Sequence, residues 1–576
     1  MISQLKFFLK NLFELLSQAP KKKIFTVYFL LIVQSLLDTI GIGLVGPVIA
    51  AILDINLLID NIPVDSLKEY FLSLTKNQII FNILIVFFGV YLLKSILSLL
   101  IQIISANIYL KIGEKYSNIL INSYFLSDWN YVLNKNTSNM FRDTLNIAYQ
   151  LPYIVLLPFL GIIAEAGFLF FTFVLLINLN PTILLIGILS AILTKFLYHL
   201  LTYKTLLKIG SSRLKIDSLR VKNLFSIIGL LREIRILNAR QYFLNKNIQI
   251  LKDLTKLETS ASKYDVLPKI VFELLFIFLI STLVLTQLFY SLDQESLLIS
   301  LGIFSAAAIR IIPSFNRITN YTSKIITKKK TIENFLGQIS SSKLKITDQI
   351  VEEKSSKIIN FDKIKIQNLS YSYLERENEV FKKLNFEIEK GEMVGLKGES
   401  GSGKSTLLNC VAGILPDYKG KIEIDNNEQK KLQKDWLYSC GYVSQEVFLL
   451  DDTIKRNIAL GKEDADIDIS KVKESVKISG LDNFIECKTQ KLDYQIGENG
   501  RNLSGGQKQR LSIARSLYNE CSILILDEIT SSLDFETTKK IVENIKYIKD
   551  KKKLTILIAS HDEFVLENCD KIIRLD

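Results

Sequence analysis

Cysteine, histidine and tryptophan are scarce in this chain, and the cysteine pattern excludes several kinds of site. The 576 residues include five cysteines, two histidines and two tryptophans. All five cysteines lie between Cys410 and Cys569, and no two form a CxxC pair. Neither a disulfide framework nor a zinc site is therefore expected, and a reducing compartment fits best. The N-terminus shows no short apolar region followed by small residues, so a cleaved signal peptide is not expected.

Acidic residues are outnumbered by basic ones, which gives a formal net charge of +12. Nucleic-acid binding is one explanation for a basic chain. Much of the basic charge, however, lies beside apolar runs, as in PKKKIF at residues 20–25. This placement is typical of the cytosolic flanks of membrane spans, so we expect a membrane and no nucleic-acid partner. A hydrophobic fraction of 48% combined with 23% charged residues indicates an apolar part joined to a polar part.

Long apolar runs are confined to residues 1–325. A membrane helix needs about 20 mostly apolar residues, and about six runs meet this length. They lie near 24–53, 79–108, 152–178, 182–203, 266–290 and 297–320. The connection 54–78 carries few basic residues and is expected outside the cytoplasm, whereas the Lys- and Arg-rich connections 109–151 and 204–265 are expected inside. Within the outer connection, VDSLKEYFLSL has an amphipathic pattern that favours a position along the membrane surface.

The polar C-terminal part has a different pattern. Residues 326–358 are rich in Lys and Ser and weakly patterned, so they are predicted to form a linker. From residue 359 onward, short β-rich runs alternate with helical patterns, which predicts an α/β domain. The predicted fold is thus an α-helical transmembrane bundle of six helices in 1–325, followed by an α/β domain in 359–576.

The stretch VGLKGESGSGKSTLLNCVAGIL reads as strand, loop and helix and predicts that the α/β domain is a P-loop ATPase. Its residues fit the pattern G-x-x-x-x-G-K-[ST], in which glycines let backbone N–H groups face a phosphate. Lys404 would place a cation between the β- and γ-phosphates, and Ser405 would bind Mg²⁺. The predicted ATP-binding residues here are Gly398, Glu399, Ser400, Gly401, Ser402, Gly403, Lys404, Ser405 and Thr406.

Three further stretches place polar side chains at the ends of apolar strands. SILILDE ends in Asp527, a predicted Mg²⁺ ligand, and Glu528, which would orient the attacking water. Gln445 follows a predicted strand, where its amide would sense Mg²⁺ and the γ-phosphate. His561 ends another strand and would donate a hydrogen bond to the γ-phosphate. The predicted catalytic residues are Lys404, Gln445, Glu528 and His561, and the predicted metal ligands are Ser405, Gln445 and Asp527. His199 is expected to be an ordinary packed or solvated residue.

The order of Tyr373, GESGSGKST, Gln445, LSGGQ, ILILDE, SSLD and His561 resembles the nucleotide-binding domain of ABC transporters. Six spans ahead of one such domain resemble a half-size ABC exporter. The resemblance implies that Tyr373 stacks on adenine and that Asp534 belongs to the loop linking two sites. It also implies that Ser504, Gly505 and Gly506, with Gln507 beside them, bind ATP held by a second chain. A homodimer with two composite sites follows, and a heterodimer with one degenerate partner stays open.

Ionisable residues within apolar spans are the candidates for substrate contacts. They are Asp38, Lys94, Glu165, Lys195 and Arg310. A purely structural explanation is available for each, since helices can extend past the bilayer and lysine can reach its surface. Arg310 and Arg317 are seven residues apart and share a helical face. A basic stripe of this kind would suit a phosphate or pyrophosphate headgroup.

The segment around Arg310, the stretch LDTIGIGLVGPVIAAI and the amphipathic outer connection are similar to the flippase of lipid-linked oligosaccharides in bacterial protein glycosylation. This resemblance implies that a polyprenyl-pyrophosphate saccharide moves from the inner to the outer leaflet of the bacterial cytoplasmic membrane. Lipid A or another glycolipid, a peptide and a drug remain alternative substrates. An ATP-gated channel or a membrane-anchored regulatory ATPase is the alternative of another class.

Overall fold

The chain divides into two compact units. A computed structural model describes residues 21–44, 73–177, 181–290, 294–341, 357–373, 378–530 and 533–575. The first unit comprises Met1–Ser127 and Asn134–Ile350, and the second comprises Asp128–Leu133 and Val351–Asp576. A short segment from the N-terminal half therefore belongs to the C-terminal unit.

Six long helices and three short ones form the described residues up to 341. In chain order they are α1 (Lys21–Gly43), α2 (Lys76–Leu126), α3 (Trp129–Asn134), α4 (Thr137–Arg142), α5 (Tyr149–Ile177), α6 (Pro181–Gly229), α7 (Leu231–Ile236), α8 (Arg240–Tyr290) and α9 (Gln294–Ser341). Each long helix overlaps one of the six apolar runs. Two described stretches, Asn77–Leu126 and Thr137–Val174, are long and apolar enough to cross a membrane, and Phe25–Gly41 is a shorter apolar helix.

The long helices continue past their apolar runs. Helix α6 runs on to Gly229, although its apolar run ends near residue 203. Helix α9 runs on to Ser341 and so extends through residue 326, where the linker is predicted to begin. Ile332 and Phe335 of this extension are almost fully buried, at 0% and 2% exposure, because they pack against α2 and α5. The predicted surface segment lies mostly in residues 45–72, outside the described residues.

Two glycines allow close helix contacts in the described part of the first unit. A Cβ at Gly113 on α2 would collide with the carbonyl oxygen of Tyr149, at the start of α5. A Cβ at Gly210 on α6 would collide with the carbonyl oxygen of Thr327 on α9. Small residues allow helix backbones to approach closely, and here the backbone itself is the neighbour.

A buried polar network surrounds a π-helical turn, Asp143–Ala148, between α4 and α5. Asp143 accepts hydrogen bonds from Arg142 Nε (2.8 Å) and from Gln338 Nε2 of α9 (2.6 Å). Arg142 also donates to the Ser218 hydroxyl on α6. Lys135 Nζ lies 4.0 Å from Asp143 Oδ2, and burial lowers the pKa of Lys135 to about 8. The network thus joins the short helix α4 to α6 and α9.

The second unit contains two sheets with helices around them. Its elements are β1 (Lys363–Tyr371), β2 (Phe381–Glu389), β3 (Met393–Lys397), α10 (Lys404–Ala412), β4 (Lys419–Ile424), β5 (Asn427–Glu428), α11 (Gln433–Ser439), β6 (Cys440–Val443), α12 (Ile454–Ile458), α13 (Ile469–Ile478), α14 (Asp482–Glu486), α15 (Gly505–Tyr518), β7 (Ile523–Asp527), α16 (Phe535–Lys552), β8 (Thr555–Ala559), α17 (Glu563–Glu567) and β9 (Lys571–Arg574). The antiparallel sheet has the order β2-β1-β4-β5, and the parallel sheet has the order β6-β7-β8-β3-β9.

The parallel sheet positions the site. Every residue of β7 and β8 is buried, as expected for parallel strands covered on both faces. Leu526 pairs with Ile558 and Asp527 with Ala559, so the carboxyl ends of β7 and β8 lie side by side. In open α/β sheets, ligands bind at this edge.

The segment Asp128–Leu133 contacts the antiparallel sheet of the second unit. Asn130 Oδ1 accepts a hydrogen bond of 2.7 Å from the Tyr371 hydroxyl at the end of β1. Asn130 Nδ2 donates to Asp417 at 3.4 Å. Burial raises the pKa of Tyr371 to about 12.

Candidate nucleotide-binding site

The loop after β3 has a backbone suited to holding phosphate. Gly401 and Gly403 have φ angles of +89° and +96°, in the left-handed region that favours glycine. Gly403 is the N-cap of α10, so the first backbone N–H groups of that helix point toward the loop. The positive end of a helix and free N–H groups together favour an anion.

Lys404 lies at the centre of the loop with 5% of its surface exposed. Its Nζ donates to the carbonyl oxygens of Gly398 (2.9 Å) and Glu399 (3.1 Å). It also lies 2.8 Å from His561 Nε2 and 3.7 Å from Glu528 Oε1. The buried ammonium is therefore surrounded by acceptors and directed into the loop.

Glu528 joins three of the predicted catalytic residues. Its Oε2 accepts a hydrogen bond of 2.7 Å from Gln445 Nε2, and its Oε1 lies 3.1 Å from His561 Nε2. The φ angle of Glu528 is +48°, which is unusual for a residue with a side chain. Its backbone N–H donates to the carbonyl oxygen of Ala559 at 3.0 Å, so the end of β8 holds this conformation in place. The structure thus brings Lys404, Gln445, Glu528 and His561 together.

Ser405 and Asp527, two of the predicted Mg²⁺ ligands, contact each other through their side-chain oxygens. Ser405 Oγ donates to Asp527 Oδ1 at 3.0 Å, and Asp527 is 4% exposed. Burial raises the pKa of Asp527, and the Ser405 hydrogen bond opposes this effect. Among the described residues, no group of three His, Cys, Asp or Glu side chains could hold a metal ion. Mg²⁺ usually takes one or two protein carboxylates and completes its shell with water and phosphates, so this pair fits it.

The remaining predicted ATP-binding residues of this region lie in or beside the loop 398–406. Tyr373 lies 3.0 Å from the Thr406 hydroxyl, oxygen to oxygen, and its ring meets that of Tyr371 edge-on at 5.1 Å. The Ser402 N–H donates to the carbonyl oxygen of Glu399 at 3.1 Å, and Ser400 is exposed. At Gly398, a Cβ would lie 2.7 Å from the carbonyl oxygen of Leu575, so only glycine fits. Tyr373 is therefore joined to the loop through Thr406.

The second predicted phosphate-binding stretch lies apart from the first. Ser504 is the N-cap of α15 and accepts from the Gln507 N–H at 3.3 Å, while Gln507 Oε1 accepts from the Ser504 N–H at 2.9 Å. Ser504 and Gly505 are exposed, and Gly506 and Gln507 are partly exposed. In the described chain, no hydrogen bond joins these residues to the loop 398–406. Asp534 caps α16 through the Thr537 N–H, and the neighbouring residues 531–532 lie outside the described part.

The charged residues of the membrane half form pairs that sequence patterns did not reveal. Asp38 Oδ1 lies 2.5 Å from Lys94 Nζ. Arg317 donates to both oxygens of Glu165, at 2.5 and 3.0 Å. The side chains of Arg310 and His199 lie outside the described part. Of the two arginines in the proposed basic stripe, Arg317 has a described side chain, and its charge is shared with Glu165.

A phosphate-binding loop, an acidic strand end and a parallel sheet define a P-loop nucleotide-binding domain. Residues 381–531 match the family model described as "ABC transporter". Over 96% of its length, this chain superposes on 93% of a bacterial Atm1-family ABC exporter solved with ATP bound, with a TM-score of 0.77 and 18% identity. The chain therefore has the ABC exporter fold, a helical transmembrane domain followed by an ATPase domain of the ABC transporter type. The predicted fold class is confirmed.

Curated relatives match a smaller part of the chain. It is 38% identical over 214 residues to the ATP-dependent lipid A-core flippase of Pasteurella multocida, which covers 37% of this chain and 36% of that protein. It is 40% identical over 215 residues to a putative multidrug export ATP-binding/permease protein of Staphylococcus aureus, with the same coverage. It is 39% identical over 214 residues to ABC transporter B family member 13 of Arabidopsis thaliana, 17% of that protein. The match thus spans about a third or less of each relative.

Proposed function

We propose that this protein is an ATP-driven exporter in which ATP hydrolysis by the second unit drives transport through the first. The observation that carries the proposal is the convergence of Lys404, Gln445, Glu528 and His561 at one edge of the parallel sheet, within an ABC-type domain. Glu528 would orient and polarise a water molecule, and Gln445 would fix one of its carboxylate oxygens.

The remaining residues of the site bind and orient the nucleotide. Lys404 exchanges its contacts with the carbonyl oxygens of Gly398 and Glu399 for phosphate oxygens, because a charged acceptor binds an ammonium more strongly. Ser405, Asp527 and Gln445 would hold Mg²⁺, which neutralises phosphate charge when bound. Tyr373 offers its ring to the adenine, and His561 offers a hydrogen bond to the terminal phosphate.

A second copy of the chain would complete the site. Ser504 to Gln507 expose backbone N–H groups and a hydroxyl at a helix N-terminus, yet no described hydrogen bond brings them to Lys404. In a homodimer, each chain would close this stretch over the ATP that its partner binds. We therefore propose a homodimer in the bacterial cytoplasmic membrane, with residues 1–325 as membrane domain, 326–358 as connection and 359–576 in the cytoplasm.

For the substrate, we propose a lipid-linked saccharide that moves from the inner to the outer leaflet. The similarity to a protein named as a lipid A-core flippase supports an amphipathic lipid. Arg310 and Arg317 are the proposed contacts of its phosphate groups, with Arg317 keeping its ion pair with Glu165. The similarity to a putative multidrug export protein favours a drug as the second candidate.

Leaflet transfer in liposomes tests this function. The wild type and Glu528→Gln would be reconstituted with a fluorescent polyprenyl-pyrophosphate saccharide, and the transferred fraction measured with and without ATP. We expect ATP-dependent transfer by the wild type and none by the variant. ATPase activity stimulated by a drug or peptide, without lipid transfer, would overturn the substrate assignment. Ion flux through the same liposomes would overturn the exporter assignment in favour of a channel.

A further inference from the structure

A cavity of about 500 Å³ lies among α1, α2 and α5, with Tyr321 of α9 at one side. Its helices belong to apolar runs, yet several polar side chains are part of its lining. Amides and hydroxyls from two helices face it: Gln34 and Ser35 of α1, and Ser98, Gln102 and Ser105 of α2. The volume is within the range of roughly 300–1,000 Å³ typical of small-molecule sites.

Polar side chains in a membrane bundle are costly unless they meet one another, water or a ligand. Part of this lining is already satisfied: Gln34 Nε2 donates to Ser98 Oγ at 2.8 Å, and Ser35 donates to the carbonyl oxygen of Ala164 at 3.2 Å. Gln102, by contrast, is exposed to the cavity side of α2. It offers two donors and an acceptor to an occupant.

The charges around the cavity indicate which class of ligand it can bind. Two carboxylates line it, Asp38 and Glu165. Asp38 is paired with Lys94 at 2.5 Å, and Glu165 with Arg317 at 2.5 Å. Because each acid has its own cation, the cavity has no excess charge to attract a phosphate or an ammonium group. It fits a neutral ligand with many hydrogen-bonding groups.

Aromatic rings complete the lining. Tyr109, Tyr153 and Phe168 face the same space as the amides. The Tyr321 ring lies directly on Gly161 of α5, where a Cβ would collide with it. Flat apolar ring faces beside amides and carboxylates match a sugar, which has C–H groups on its faces and hydroxyls that both donate and accept around its edge.

We propose that this cavity binds the saccharide part of the transported lipid. The inference rests on the proposed function and extends it: the sugar is held here by neutral hydrogen bonds, apart from any contact that the phosphates make. The ion pairs Asp38–Lys94 and Glu165–Arg317 hold the carboxylates as acceptors for sugar hydroxyls.

Cysteine labelling tests the proposal in the full-length protein, because residues 1–325 contain no cysteine. The exposed Cys487 would be replaced by serine, and Gln102→Cys introduced to report on the cavity. Asn107→Cys is the matched control, since Asn107 is exposed on the same helix but does not line the cavity. Maleimide labelling rates would be compared with three probes: a polyprenyl-pyrophosphate saccharide, the free oligosaccharide, and polyprenyl pyrophosphate without sugar.

We expect both sugar-containing probes to slow labelling at position 102, by about tenfold when the probe is at ten times its dissociation constant. Labelling at position 107 should not change. Equal protection by the sugar-free lipid would overturn the proposal, because the cavity would then hold a lipid chain. Lipid transfer without protection would also overturn it and leave the proposed function intact. Protection by the free oligosaccharide without lipid transfer would support the cavity and reject the proposed function.

A kinetic measurement gives independent support. Gln102→Leu keeps the side-chain size but removes its hydrogen bonds, so the saccharide lipid concentration for half-maximal ATPase stimulation should rise about fivefold, as for one lost hydrogen bond. Asn107→Leu should leave this concentration unchanged. An unchanged value in Gln102→Leu would contradict a sugar contact at this residue.

Discussion

Gln445 Nε2 donates a hydrogen bond of 2.7 Å to Glu528 Oε2, although the two residues are 83 positions apart and lie at the ends of different strands. The parallel pairing of β6 with β7 brings the two strand ends together. The left-handed φ of Glu528 then directs its side chain toward Gln445 and His561 instead of along the strand. A strained backbone that neighbouring groups hold in place is a frequent property of functional sites.

Glu528→Gln should slow ATP turnover by about 10²–10⁴-fold, the usual contribution of a positioned acid–base group. Nucleotide binding should persist, since Lys404 and the glycine loop are unchanged. Steady-state ATPase rates and ATP titration by fluorescence would measure the two effects. Glu520→Gln, which removes an exposed acid paired with Lys471, is the control. Turnover near the wild-type rate in Glu528→Gln would show that another group orients the water.

Lys404→Ala should abolish both ATP binding and turnover. The variant removes the buried ammonium that Gly398, Glu399 and His561 surround. The measurement is the shift in thermal midpoint on adding Mg-ATP, which the variant should lose. Lys397→Ala, at an exposed position just before the loop, should keep the shift. A retained shift in Lys404→Ala would refute the assigned site.

Mixed dimers test whether the sites are composite. Ser504→Asp keeps a residue that caps α15 but places a negative charge against phosphate. Dimers of a Lys404→Ala chain with a Ser504→Asp chain should keep one intact site and show about half the wild-type ATPase activity per dimer if the sites act independently.

The reciprocal pairing supplies the control. A chain with both substitutions, paired with the wild type, should have two broken sites and little activity. Activity in this second pairing, and none in the first, would mean that each chain closes its own site. Affinity purification through two different tags would isolate the mixed dimers.

Asp527→Asn should stabilise the protein without nucleotide and abolish stabilisation by Mg-ATP. Burial raises the pKa of Asp527, so its contribution to stability is present below the ordinary value of 3.8 and is lost as pH rises through the folded-state pKa. At neutral pH the Asn variant, which carries no charge at this position, should therefore have the higher thermal midpoint. Each kcal/mol of added stability should raise the midpoint by about 2–4 °C. The difference should vanish in acid. A lower midpoint for the Asn variant at neutral pH would show that ionised Asp527 stabilises the fold and would contradict this prediction.

Asp143→Leu should destabilise the first unit by about 3–5 kcal/mol, because it leaves Arg142 buried without its acid. The double variant Arg142→Met/Asp143→Leu should recover part of this loss. Asp217→Leu, which breaks a partly exposed pair with Arg220, should cost at most about 1 kcal/mol. Thermal midpoints of the purified protein in detergent would rank the three variants. Equal effects of Asp143→Leu and Asp217→Leu would show that the network is not structural.

Local patterns predicted the elements that depend on neighbouring residues. The apolar runs gave the six long helices, and β7 and β8 were predicted because buried parallel strands are continuously apolar. The loop at 398–406 was predicted because its glycines and Lys404 are contiguous. The helical extension of α9 was not predicted, since its surface is polar and a few apolar residues, among them Ile332, Phe335 and Ile339, contact the core.

Contacts between distant helices could not be predicted in this way. Glu165 and Arg317 are 152 positions apart, and their pairing depends on how α5 and α9 are rotated about their axes. The sequence marked both as charged residues near apolar runs, but it gave no information about the rotation. The pairing of Asp38 with Lys94 could not be predicted for the same reason. The polar cavity follows from these rotations and was therefore absent from the sequence-based prediction.

The contact of Gly210 with the carbonyl oxygen of Thr327 has a mechanical consequence. Sliding α6 along α9 would bring a residue with a Cβ to the place where only a bare Cα fits. Rotation about the contact point requires no such replacement. The contact at residue 210 therefore opposes sliding of these two helices more strongly than it opposes a change in the angle between them.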